Sequence, residues 1–430
     1  MSPQISRDTV APAKRVLQLT LAGVFAAVIA ACGGGGVGAG GTGATASGTV
    51  NGFGSVVIGG VRYDDSGISV SGEDASDDSK LRLGMSVDVS FDDSSCTTAA
   101  TPVCVAKAFE IHSDLAGEVT ADTLDVNGNG TIEVLGQTIA VTNNTFIHRS
   151  SGVSSALGLG TGQIVKVHGR RAAAAAATDW VATYIEIKAA TDAGLAGLSS
   201  SFQFRLAGAL TGTAGNYQIG GEPVDLTGIT VPSGTNPFVR VRITPAAVRP
   251  ANGWDVAELK SQRSRSLERR DRSRVEVQGY VESADVDAVA NTTTLVINGV
   301  DVKVSGRLGA VEFEGSGLDY AALAATSALL EVKGTIDVNG VLIATKIELE
   351  DENEREFYAL ATEIGRVDTV ANTFVVTKRN TDPITVTYSD TTPGVLEVSE
   401  ASLGTQKLEI KGNLDRATGN LIATRIKRED

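Results

Sequence analysis

Apolar and polar residues alternate with a period of two in a short segment that returns five times along the chain. It reads Val105-Ala106-Lys107-Ala108-Phe109-Glu110-Ile111, then Val181-Ala182-Thr183-Tyr184-Ile185-Glu186-Ile187, then Val256-Ala257-Glu258-Leu259. It comes back as Ile343-Ala344-Thr345-Lys346-Ile347-Glu348-Leu349 and Ile422-Ala423-Thr424-Arg425-Ile426-Lys427. Its alanines step by 76, 75, 87 and 79 residues, which marks tandem repeats. A second echo pairs Val286-Asp287-Ala288-Val289-Ala290-Asn291-Thr292 with Val367-Asp368-Thr369-Val370-Ala371-Asn372-Thr373. Strict alternation predicts half-buried antiparallel strands. In the second repeat it places Val181, Thr183, Ile185 and Ile187 on the inner face, and Ala182, Tyr184 and Glu186 on the outer one. Lys346, Glu348, Arg425 and Lys427 share that outer face in later repeats.

The alternating segment closes a unit of constant internal order. A first strand opens on glycine, as in Gly48-Thr49-Val50, Gly117-Glu118-Val119, Gly208-Ala209-Leu210 and Gly279-Tyr280-Val281. A hairpin follows, for example Val56-Val57-Ile58-Gly59-Gly60-Val61 or Leu295-Val296-Ile297-Asn298-Gly299-Val300, whose Gly-Gly and Asn-Gly pairs supply the positive φ of tight turns. Spaced leucines in a polar stretch, Leu81 and Leu83 or Leu157 and Leu159, predict a short helix before the fourth strand. The fourth strand alternates strictly, as in Val87-Asp88-Val89-Ser90-Phe91 and Leu408-Glu409-Ile410-Lys411. About five strands in about 75 residues predict an all-β chain, a tandem array of about five small antiparallel OB-like barrels. Small β-sandwiches are the alternative. The repeats are expected at 47–113, 115–190, 203–260 (degenerate), 274–351 and 356–430, with an Arg-rich linker at 261–273.

The first residues follow a different pattern. Lys14 and Arg15 precede an apolar run from Val16 to Ala31. The run is shorter than the roughly twenty residues of a membrane span and has the length of a signal-peptide core. It ends in Ile29-Ala30-Ala31-Cys32, which resembles the bacterial lipobox. That resemblance implies a signal peptide at 1–31, lipidation of Cys32 and, with Gly33 after the cysteine, sorting to the outer membrane. Residues 32–46, rich in Gly, Ala, Thr and Ser, are expected as a flexible tether.

Composition then narrows the chemistry. The net charge is −14 and aromatic residues make up 5% of the chain, which argues against a nucleic-acid binder built on positive grooves and stacking. Three histidines cannot supply several His-rich metal sites, and three cysteines cannot staple a disulfide-dense scaffold. His112, His148 and His168 stand at no recognisable catalytic spacing, and no nucleophile elbow, metalloprotease or phosphate-loop motif occurs. Cys96 and Cys104 enclose a short loop and are expected to pair in an oxidising envelope. Asp125, Asn127 and Asn129 have the oxygen spacing that opens a calcium loop. The twelfth position of that loop is Gly136, so the competing reading is an Asn-Gly hairpin. Arg263, Arg265, Arg269, Arg270, Arg272 and Arg274 form a candidate anion-binding arm, or a solvated linker.

A family resemblance rests on three stretches. Gly48-Thr49-Val50-Asn51-Gly52-Phe53-Gly54-Ser55-Val56-Val57-Ile58-Gly59-Gly60-Val61-Arg62-Tyr63 resembles the opening of bacterial lipoproteins grouped as domain of unknown function 5666. Leu83-Gly84-Met85-Ser86-Val87-Asp88-Val89 and Val134-Leu135-Gly136-Gln137-Thr138-Ile139 share its habits. The resemblance spans roughly residues 47–430 and implies a secreted, lipid-anchored repeat protein. It brings no catalytic residues and no cofactor. The expected function is therefore a non-catalytic binding or structural module in the cell envelope. Its partners are the outer membrane, through the lipid, and an envelope ligand or protein. A calcium-binding envelope protein and a hydrolase with a non-sequential site are the rival classes.

Overall fold

The computed structural model describes residues 43–429 apart from 73–79, 98–101, 155–157, 191, 199–200, 234–235, 262–273, 379–380 and 417. The signal segment, Cys32 and five of the arginines (Arg263, Arg265, Arg269, Arg270 and Arg272) lie outside the described residues. The chain is all-β, as the alternation predicts; among the described residues the helical segments are short 3-10 turns.

Repeat 2 shows the plan. Strand Leu115–Asp122 pairs with Gly130–Val134, which pairs with Gln137–Val141. That strand runs parallel to the closing strand Trp180–Ala189, the closing strand pairs with Ile164–Arg171, and Ile164–Arg171 returns to Leu115–Asp122. The ladder order thus comes back to its first strand. Repeat 3 repeats it through Phe204–Thr213, Asn216–Ile219, Glu222–Asp225, Trp254–Ser261 and Phe238–Ile243. Repeats 1, 4 and 5 follow the same order, with one difference in the first strand. Repeat 1 breaks it between Gly43–Thr49 and Gly52–Phe53, repeat 4 between Arg274–Gly279 and Val281–Asp287, and repeat 5 after Arg355–Ala359 at a 3-10 turn.

Several boundaries shift. The first strand starts at Gly43, so residues 43–46 belong to the sheet and not to the tether. Repeat 5 opens one residue early, at Arg355, and repeat 3 closes one late, at Ser261. The helix expected before the fourth strand is absent among the described residues. Its place is taken by a short strand parallel to the closing strand, Val70–Gly72, Phe146–Arg149 or Glu312–Glu314. Repeat 5 has an isolated bridge, Leu396 to Ile426, and a 3-10 turn, Glu400–Ser402. Leu81 and Leu83 are buried core residues, so their spacing reflects packing rather than helical period.

The closing strands do not keep one register. In every repeat a β-bulge leaves one residue without an opposite partner: Lys107, Thr183, Ala257, Thr345 and Thr424. A bulge shifts the pleat by one position, so the inward side chains change parity across it. In repeat 2 Trp180 and Ala182 face the core before the bulge, and Ile185 and Ile187 after it. Val181 and Thr183, expected inside, are turned out, and the Thr183 hydroxyl donates to the Gly84 carbonyl at 2.6 Å. Opposite the bulge stands a glycine in repeats 2, 4 and 5. A Cβ at Gly169, Gly334 or Gly412 would lie 2.7, 2.1 or 2.4 Å from the carbonyl oxygen of Val181, Ile343 or Ile422.

The broken first strands explain how repeats join. Bending frees one edge of each half. The free edge of Gly43–Thr49 pairs in parallel with Arg274–Gly279 of repeat 4, and Gly52 and Phe53 pair in parallel with Glu356 and Phe357 of repeat 5. Repeat 1 is therefore the hub for repeats 4 and 5. One apolar core runs through repeats 1 and 5, a second through repeats 2 and 3, and repeat 4 has its own. Asp114 ties repeats 1, 2 and 3 together: it accepts from the Ser86 hydroxyl at 3.1 Å and the Gly169 amide at 3.0 Å, and pairs with Arg240. The outer face of the repeat 2 closing strand is buried in this arrangement. Tyr184 joins the core of repeats 1 and 5, and Glu186 is buried against Ser150 and Lys188.

Candidate binding sites at the repeat seams

The seam between repeats 1 and 5 begins with Gly52-Phe53-Gly54. A Cβ on Gly52 would lie 1.6 Å from the Glu356 carbonyl oxygen, and one on Gly54 (φ +120°) 1.8 Å from that of Tyr358. Only glycine permits this approach. Arg62, on the adjacent strand Val61–Asp64, locks it. Its Nη2 donates to the Gly54 carbonyl at 2.7 Å and its Nη1 to Glu429 Oε1 at 2.5 Å, while its guanidinium carbon sits 3.7 Å above the Tyr358 ring. A partly desolvated cation over an aromatic face contributes about 0.5–2 kcal/mol.

Beside Arg62 opens a cleft of about 550 Å³ between the two repeats. Lys407 also bonds Glu429, at 2.8 Å, and Lys378 pairs with Glu363. Burial holds the Lys378 ammonium below its ordinary range, and Glu363 opposes that shift. Asp64 and Asp65 complete the wall. Three cations and four carboxylates thus face one space, mostly bound to each other.

A second cavity, of about 210 Å³, lies where repeats 1, 2 and 5 meet, and Phe53 lines both. Repeat 2 contributes Phe146 and His148 from its short parallel strand and Tyr184 from its closing strand; repeat 5 contributes Ile384. The His148 and Tyr184 rings lie nearly parallel, 20° apart with centroids 6.3 Å apart. At the mouth, Asp382 receives Lys80 Nζ at 2.8 Å and Arg82 Nε at 2.8 Å. Burial, then the charge of Arg82, lowers the His148 pKa, so its ring is neutral at neutral pH.

Of the residues singled out from sequence, His148 lines the second cavity and the others described lie elsewhere. Cys96 and Cys104 form a disulfide, with an S–S distance of 2.02 Å. Asp125, Asn127 and Asn129 build a hairpin turn and not a cation cage. Asp125 Oδ1 accepts the amides of Asn127 and Asn129 at 2.8 and 2.9 Å, and Arg416 Nη1 donates to Asn129 Oδ1 at 3.0 Å. A guanidinium at the tip opposes a second cation there. Among the described residues no cluster of three or more metal-ligating side chains occurs. Arg274 is absorbed by the seam of repeats 1 and 4, bonded to Asp93 at 3.1 Å and Glu276 at 2.8 Å. The hydroxyl of Ser86, beside His168, donates to Asp114 at 3.1 Å. His168 is buried and its Nδ1 accepts the Ser86 amide at 3.1 Å. His112 is buried near Asp88.

Residues 116–186 and 278–348 match the family described as Domain of unknown function (DUF5666), and each match runs from the opening strand into the closing one. Repeats 2 and 4 thus match the DUF5666 model over most of their length. Their ladder order is the one that repeats 1, 3 and 5 share. No curated protein matches the chain. Among solved structures, Drosophila Unr CSD456 is similar at 10% identity and a TM-score of 0.12, over 46% of this chain and 78% of that one. A likeness of that size carries no argument. The two cavities lie at seams between repeats, so neither is contained in a single one.

Sequence reasoning missed both cavities, although signals were present. Gly52 and Gly54 occur where repeat 2 has Ala121 and Thr123, and an extra glycine marks close approach. Tyr184 stands where repeats 4 and 5 carry Lys346 and Arg425, and an aromatic on the charged face marks a covered surface.

Proposed function

We propose that the chain is a lipid-anchored outer-membrane protein acting as a non-catalytic binding module, with a hydroxyl-rich ligand held in the cleft between repeats 1 and 5. The anchor rests on Ile29-Ala30-Ala31-Cys32. The observation that carries the binding reading is the fixed, mixed-charge wall around Arg62. Carboxylates and ammonium groups side by side offer each hydroxyl both an acceptor and a donor. Their mutual bonds hold them in place before a ligand arrives, which lowers the entropy lost on binding. The near-balance of charge favours a neutral polyol or saccharide over a strongly charged ligand.

Saturation-transfer NMR with chitobiose and maltose on the soluble folded chain tests the ligand class. Transfer to at least one sugar at about 10 mM is expected, weakened about tenfold by Lys378→Gln. No transfer to either sugar, or transfer that ignores Lys378→Gln, refutes it. Fractionation tests the anchor separately: Cys32→Ser should release the protein from membranes or leave its signal uncleaved.

A further inference from the structure

The smaller cavity has a different chemistry from the cleft and is walled by three repeats. Its floor and sides are apolar rings and branched chains: Phe53, Phe146, Tyr184 and Ile384. An apolar cavity of about 150 Å³ accepts benzene, so 210 Å³ takes one six-membered ring with a small substituent. The stacked His148 and Tyr184 rings put aromatic surface on the wall, which suits a planar ligand.

The mouth adds a sign. Lys80 and Arg82 both bond Asp382, two cations on one carboxylate. The charges next to them, Lys188 and Glu186, pair with each other at 3.3 Å. Of these charges Arg82 and Asp382 line the cavity, and Asp382 is shared with Lys80, so Arg82 is the lining cation that can meet an anion, and an arginine wall residue is shaped to receive a carboxylate. Arg82 is bonded to Asp382 through Nε, so the carboxylate would meet its terminal nitrogens.

We propose that this cavity binds a planar aromatic carboxylate, its ring against Phe53, Phe146 and Tyr184 and its carboxylate on Arg82. The site exists only where repeats 1, 2 and 5 are assembled, so it is a property of the array and not of a single domain. It is independent of the saccharide reading of the larger cleft.

The test is calorimetry on the soluble folded chain with three probes: benzoate, cyclohexanecarboxylate and benzyl alcohol. Benzoate should bind, and the two others, one lacking planarity and one lacking charge, should each bind about tenfold more weakly. Arg82→Gln should weaken benzoate about tenfold and leave benzyl alcohol unchanged. Because Arg82 also bonds Asp382, a second variant is needed that leaves this ion pair alone. Ile384→Phe, which fills the cavity, should abolish benzoate binding with the circular dichroism and the chitobiose and maltose responses intact. Absence of benzoate binding overturns the proposal. So does equal affinity for all three probes, or benzoate binding that survives Ile384→Phe.

Discussion

Gly52→Ala tests the hub most directly. The added Cβ would lie 1.6 Å from the Glu356 carbonyl oxygen and 2.6 Å from its carbon, both backbone atoms that no rotamer can move aside. The strands must part by more than an ångström, and the bond from the Glu356 amide to the Asn51 carbonyl, 3.2 Å long, is then lost. Overpacking costs about 1–3 kcal/mol and each lost hydrogen bond about 0.5–1.5, together about 2–5 kcal/mol at this seam. Hydrogen exchange read on the peptide spanning Arg355–Ala359 is the suitable assay, because it reports local opening in a chain of several repeats. Protection should fall by about thirtyfold to a few thousandfold. Gly60→Ala is the control: its φ of +68° is strained, but nothing lies within 4 Å of the new Cβ, so repeat 5 should keep its protection. If Gly52→Ala leaves the Arg355–Ala359 peptide as protected as Gly60→Ala does, the ladder between repeats 1 and 5 is not what holds them.

Three further outcomes are expected. Burial, then the charges of Lys166 and Arg205, pushes the His168 pKa well below its usual range, so the stability from keeping it neutral is present above about pH 6.5 and lost as pH falls. Urea melts at several pH values should show that loss in the wild type and a flatter profile in His168→Gln; parallel profiles would contradict it. Glu186→Lys should destabilise by about 3 kcal/mol in chemical denaturation, because it removes a buried partner of Ser150 and Lys188 and adds a like charge; a neutral effect would place this face in solvent. Reducing Cys96–Cys104, eight positions apart, should cost at most about 2–3 kcal/mol in a melt with and without reductant, since so short a loop loses little entropy when closed; a larger loss would show that the bond holds more than its own loop.

The strand content and the five-fold repetition were legible because alternation and hairpin glycines are local signals. The inward face of the closing strand was not. Ala182 and Ile185 are three positions apart, and they share a face only because Thr183 is a bulge, a feature fixed by Gly169 on the neighbouring strand. The sequence pattern also cannot tell a charged face in water from one against another repeat. Glu186 and Tyr184 look alike in that respect and both are buried. The cavities were hidden for the same reason, since Phe53, Tyr184 and Ile384 come together across more than 300 positions. The Asp125 turn carried two readings, a hairpin and a calcium loop, because oxygen spacing does not disclose that backbone amides and Arg416 already use those oxygens.

The hub has a consequence for biogenesis. The strand Gly43–Thr49 is synthesised before the other repeats, yet its outer edge is closed by Arg274–Gly279, and Gly52–Phe53 waits longer still, for Arg355–Ala359. During synthesis the leading repeat therefore emerges with a bare strand edge that only the trailing repeats can cover. An open edge invites pairing with other chains, and closing it requires contacts over some 230 to 300 residues, which slows folding. Truncation after repeat 3 should therefore yield a sticky fragment rather than a shorter soluble array, and the intact chain should depend on a holdase chaperone until its last repeat arrives.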